Sequence, residues 1–222
     1  AGVNPGMWQT VRTAAATAVT AVAVLLVLAA PLRAQAPQLD GVEPCLATHF
    51  DPSRYLADLG ALGWQHIDPA TRPAALAWLS DAFLPLSEQG FDYAAPGDLD
   101  ARRATQVQRW TQMTDGRTIL VRGRQVLFIG GDATDDGRRR VSCWLAAPSG
   151  DALITRLFDI WTEAGLVSQG QTVARGGIPD TALPTGGTLS VRGVRARADA
   201  APQLSAHEGL LIRVVIGQEA TQ

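Results

Sequence analysis

Cys45 and Cys143 are the only cysteines in a chain of 222 residues. Bonded to each other, they tie a segment near the start of the folded part to its middle and close a loop of nearly a hundred residues. No other feature narrows the available folds as much. An even, minimal cysteine count reads as one disulfide when the compartment is oxidising. Loop-entropy arguments assign such a ring about 4 kcal/mol, less any strain. The competing readings are two buried free thiols and, more remotely, a metal site.

The N-terminus speaks to the compartment. From Met7 the chain reads MWQTVRTAAATAVTAVAVLLVLAAPLRAQA. Arg12 precedes an apolar run from Ala14 to Ala30, Pro31 breaks that run, and Ala34-Gln35-Ala36 supplies small residues. This is the order of a secretory signal peptide, so residues 7–36 are expected to be one, with the residues before Met7 upstream of its start. Pro37 hinders a cut after Ala36, which makes a cut after Ala34 the alternative. The competing reading is an uncleaved anchor, because Thr13 to Ala30 is close to the lower length limit for crossing a bilayer. Gly41-Val42-Glu43-Pro44 ahead of Cys45 is no lipobox, so no lipid is expected there. The implied location is periplasmic or secreted, either free or held by the N-terminal segment.

Residues 37–222 are long enough for a single domain with a real core. The chain has 19 basic residues against 21 acidic ones, and every basic residue is arginine. The absence of lysine reads as codon bias in a GC-rich genome. Loss of Arg12 and Arg33 with the leader makes the remainder slightly more acidic. That balance does not fit a nucleic-acid partner.

A phrase occurs twice in residues 48–69, THFDPSRYLADLGALGWQHIDP: His49-Phe50-Asp51-Pro52 and His66-Ile67-Asp68-Pro69. Asp followed by Pro suits a helix cap and first helical position, since Pro has no N–H to leave unpaired and its φ is already helical. Phe50 and Tyr55 are spaced as a hydrophobic staple. Tyr55, Leu59 and Leu62 then share a face, and Gly63 stops the helix. The second phrase leads to a helix from about Pro73 to Leu84, with Leu76, Leu79 and Phe83 inward and Pro85 as its end. A third helix covers about Leu99–Met113, with Val107 and Trp110 inward.

The apolar period then changes from helical to alternating. RTILVRGRQVLFIG predicts strands over 117–122 and 125–130 joined at Gly123-Arg124. GGDATDDG is a loop. Residues 139–147 alternate, placing Val141, Cys143 and Leu145 on one face and Arg140, Ser142 and Trp144 on the other. GDALITRLFDIWTEAGL is a helix with Leu153, Leu157, Trp161 and Ala164 as its stripe and Gly165 as its stop. The Gly- and Pro-rich stretch 168–187 reads as a long surface loop, and TLSVRGVRA and GLLIRVVI as two last strands. The expected architecture is α+β: N-terminal helices and a mainly antiparallel sheet of about five strands, with one helix inserted before the last two.

In an extended segment, i and i+2 face the same way, so His49, Asp51, His66 and Asp68 are weak candidates for one metal site. Both aspartates are already accounted for as caps, and the helix between them separates the pairs by about 15 Å. Capping is the preferred reading, and no metal or other cofactor is expected. GGDATDDG lacks the spacing of an EF-hand calcium loop. Ser205-Ala206-His207-Glu208 puts hydroxyl, imidazole and carboxylate side by side, yet triads are assembled from separated segments. No G-x-S-x-G, H-E-x-x-H or phosphate-binding glycine motif is present.

The arginines form the one pattern that stands out. Arg117, Arg122 and Arg124 flank the first hairpin, Arg138, Arg139 and Arg140 open the third strand, and Arg192, Arg195 and Arg197 lie on or after the fourth. If these strands are neighbours, one sheet face gathers guanidinium groups suited to carboxylate or phosphate, with Trp144 exposed beside Arg140. The plainer reading is a solvated face balanced by Asp132, Asp135 and Asp136. The candidate binding residues are Arg138, Arg139, Arg140, Trp144, Arg122 and Arg124. Together these readings imply an exported, non-enzymatic binding or accessory protein of the cell envelope, whose partner is an anionic envelope component or another envelope protein. The alternatives are a small envelope hydrolase built on His49, His66 or His207 and a membrane-anchored accessory subunit.

Overall fold

In the computed structural model, residues 38–46, 51–88, 90–95, 97–114, 117–183 and 187–216 are described. The expected leader, His49 and Phe50 lie outside them. Helix α1 (Pro52–Ala61) begins where expected: the Asp51 carboxylate accepts from the N–H groups of Ser53 and Arg54 at 3.0 and 3.3 Å. Gly63, at φ +86°, turns the chain out of it. Tyr55 and Leu59 are buried, but Leu62 faces solvent, contrary to the expected stripe. After β1 (Gln65–His66), Asp68 caps a short 3-10 turn at Pro69–Thr71 through the Ala70 N–H.

Helix α2 (Arg72–Ser87) runs through Pro85 instead of ending before it. Proline there removes the hydrogen bond that the Asp81 carbonyl would accept. The Tyr93 hydroxyl replaces it, donating to the Asp81 carbonyl at 3.1 Å. Burial of Leu79, Phe83 and Leu84 on either side holds the last turn in place. Helix α3 (Leu99–Gln112) packs beside α2 and buries Trp110.

Among the described residues the sheet is antiparallel throughout, but it has eight strands where about five were expected. The five anticipated strands are β2 (Arg117–Arg122), β3 (Gln125–Ala133), β4 (Arg139–Ala147), β7 (Thr188–Ala196) and β8 (Glu208–Ile216). The additions are β1, β5 (Val167–Gln169) and β6 (Val173–Ala182), so the stretch read as a loop over 168–187 is largely strand. The one inserted helix, α4 (Ala152–Glu163), therefore precedes four strands instead of two. The order β1-β2-β3-β4-β8-β7-β6-β5 makes two meanders that meet at β4 and β8. Pro179 and a register shift between Ile178 and Thr181 explain why β6 does not look like a strand: the irregularity falls beyond its pairing with β5, where a missing N–H is tolerated.

Helices cover both faces. On one, α1 and α4 bury Leu127, Val141, Leu145, Val191, Leu210 and Ile212. Gly193 and Gly176 let α4 sit this close, since a Cβ on either would fall within 2.6–2.8 Å of Trp161. On the other, α2 and α3 bury Ile119, Val126, Phe128 and Ala146. Cys45 and Cys143 are bonded, with Cα atoms 6.0 Å apart, and fasten the 3-10 turn at Glu43–Leu46 to β4 on the α1 and α4 side. Among the described residues, no helix is long and apolar enough to cross a membrane.

Candidate functional site

Residues paired across antiparallel strands share a face, and their diagonal neighbours lie about 7–8 Å apart. On the face covered by α2 and α3, the apolar surface extends to the row Phe128, Trp144, Leu211. Beyond it the face becomes polar. Gly130, Ser142, Arg213 and Ser190 form the next row, and Asp132, Arg140, Val215 and Thr188 the one after. Arg213 is thus held on β8 with Arg140 diagonal to it on β4 and Arg192 diagonal to it on β7. Three guanidinium stems cross the sheet in a line.

Arg117 joins them from β2. It reaches across because Gly130 has no side chain: a Cβ there would fall 2.1 Å from the Arg117 stem. Its guanidinium lies 6.0 Å from the Phe128 ring centre and 5.8 Å from that of Trp144. Asp132 ties the edge of the cluster together. It accepts from Arg140 Nε at 2.8 Å and Arg140 Nη2 at 2.7 Å, and from Arg117 Nη2 at 3.1 Å. The Arg140 hydrogen bond, followed by the charges of Arg140 and Arg117, holds the Asp132 carboxyl below the usual aspartate range despite partial burial.

Arg213 has no such support. Its Nε is buried and has no hydrogen-bond partner. Burial first, then the charges of Arg140 and Arg192, lower its pKa, while Asp132 and Asp180 oppose them. Arginine remains protonated under such shifts, so the cost is a charge held partly out of water beside two others. Four guanidinium groups here face three carboxylates, Asp132, Asp135 and Asp180, and the excess positive charge has its least satisfied donor in the middle. Phosphate or carboxylate oxygens would balance that excess through charge-assisted hydrogen bonds to the parts of these side chains that solvent reaches.

The sequence grouped its candidate arginines by neighbourhood in the chain, whereas strand register groups them differently. Of Arg138, Arg139 and Arg140, only Arg140 joins the cluster. Arg138 pairs with Asp136 in the β3–β4 loop at 2.7 Å, and Arg139 falls on the opposite face by alternation. Arg122 works at the far end of the sheet. It lies 4.7 Å from the Trp64 ring centre and donates to the Gly41 and Leu62 carbonyls, pinning the N-terminal segment. Arg124 sits in the hairpin turn at that same end. Trp144 is not the exposed aromatic expected: it is half-buried and packs edge-on against Trp110, with ring centres 5.7 Å apart. Arg195 and Arg197 lie at the other end of β7. Arg213 was missed, although alternation in LLIRVVI places it opposite Ile212 and Val214.

The histidine candidates lie apart from this cluster. His66 is exposed on β1, and the ring of His207 lies 3.1 Å from the Ala201 carbonyl. The Ser205 backbone N–H donates to buried Asp81, and the His207 ring and Glu208 turn to different partners, Ala201 and Arg195, so those two side chains do not converge. Among the described residues, no three His, Cys, Asp or Glu side chains gather as a metal site. Compared with family models, curated proteins and solved structures, the chain matches none.

Proposed function

We propose that this is an exported, non-enzymatic protein that holds a phosphate- or carboxylate-bearing component of the cell envelope against the sheet face around Arg140, Arg192 and Arg213. The observation that carries this reading is Arg213, placed between two other arginines with a buried Nε that lacks an acceptor. Export is supported by the leader-like residues 7–36 and by the Cys45–Cys143 bond, which suits an oxidising compartment.

Titration calorimetry with tripolyphosphate and with citrate at low ionic strength tests the proposal and separates the two oxyanion types. Saturable binding by the wild-type protein is expected. Binding should weaken at least tenfold in an Arg192→Ala, Arg213→Ala variant and fall steeply as salt is added. Equal affinity in the variant, or binding of neither anion, overturns it.

A further inference from the structure

At the opposite end of β7, on the opposite face from Arg213, lies a hollow of about 540 Å³. Its walls come from Phe158 and Thr162 on α4, Val173 and Ala174 on β6, and Arg195 and Ala198 on and after β7. A volume of this size takes a small molecule. The Arg195 guanidinium lies 4.7 Å from the Phe158 ring centre, so the aromatic ring sets its position.

Arg195 Nε is 2.9 Å from Glu208 Oε1, yet neither Nε nor Nη2 makes an aligned hydrogen bond, and both are buried. The contact with Glu208 is therefore an ion pair by proximity, made on the buried side of the guanidinium. Glu208 is itself occupied elsewhere. Its Oε1 accepts from the Gly150 N–H at 3.2 Å and its Oε2 from the Asp151 N–H at 3.0 Å, at the N-terminus of α4. Those N–H groups and the positive end of the helix share in balancing its charge. The Arg195 side chain keeps 30% exposure, and it is part of the hollow's wall.

We propose that this hollow binds a small monocarboxylate with a short hydrocarbon body, its carboxylate on Arg195 and its chain against Phe158 and Ala174. The exposed part of a guanidinium held against the Phe158 ring favours an oxyanion. A single negative charge fits better than two. Arg195 is already half-balanced by Glu208, and Asp159 and Asp199 stand in the same lining, the latter paired with Arg197.

Hexanoate titrated into the full chain tests this, followed by backbone amide NMR shifts and calorimetry. Saturable shifts centred on Thr172, Val173, Ala196 and Arg197 are expected, with hexanol binding at least tenfold more weakly. Arg195→Met should weaken hexanoate at least tenfold. Ala198→Trp, which fills the hollow and keeps the Arg195 and Glu208 side chains, should do the same and carries the test if the first variant fails to fold. Hexanol binding as tightly as hexanoate, shifts centred elsewhere, or an Ala198→Trp protein that binds like wild type overturns the proposal. Tripolyphosphate titrated separately reads the other face, so either site can fail without hiding the other.

Discussion

Replacing Arg213 with methionine should stabilise the ligand-free protein while removing its affinity for anions. Methionine keeps an unbranched stem beside Ser142, Ser190 and Leu211 and discards the charge. A buried donor without a partner costs about 1–3 kcal/mol. Arg213 is only partly buried, so water recovers some of that, and the loss of its attraction to Asp132 and Asp180 subtracts more. Relief from the diagonal charges of Arg140 and Arg192 adds to the gain. The net effect is on the order of 1 kcal/mol, which for a chain of this size raises the melting temperature by about 2–4 °C. Scanning calorimetry at low ionic strength measures it, and added salt should narrow the difference. With tripolyphosphate at about a hundred times its dissociation constant, the wild type gains about 2.7 kcal/mol that the variant does not, so the order of stability reverses. A variant that melts below wild type without ligand would refute the reasoning, because Arg213 would then be a structural contact and not an unsatisfied one.

Changing Cys45 and Cys143 together to alanine opens a ring spanning 98 residues. It should cost about 4 kcal/mol and lower the melting temperature by on the order of 10 °C, with a shift of only a degree or two counting against the staple. Acid titration reads Asp132. Its folded pKa lies below the ordinary 3.8, so its contribution is complete above that value and is lost as pH falls through the folded one. Asp132→Asn should therefore flatten the loss of stability on acidification below about pH 4. Melting curves that keep the wild-type acid slope would show that Arg117 and Arg140 do not hold the carboxylate.

Local rules made several elements legible in the sequence. Asp51 and Asp68 cap because a short carboxylate before proline has few better uses. Alternation over 139–147 correctly set Cys143 on one face and Arg140 on the other, because side chains along a strand can point only two ways. The same rules failed where a distant partner supplies what the local sequence lacks. Pro85 stays helical because the Tyr93 hydroxyl takes over an orphaned carbonyl, and β6 is a strand despite Gly176, Gly177 and Pro179 because β7 pairs along it.

From sequence alone, the chain declares a leader-like N-terminus, one possible sulfur pair, its main helices and strands, and a surface whose only cations are arginines. Those are consequences of composition, capping and period, each readable within a few residues. Which arginines meet is a different kind of fact. Arg138 and Arg139 adjoin Arg140 in the chain and point elsewhere, whereas Arg192 and Arg213 reach it from strands more than fifty residues away. Strand order and register bring β4, β8 and β7 side by side, and those arise from long-range pairing between two meanders. Only the assembled sheet could decide that.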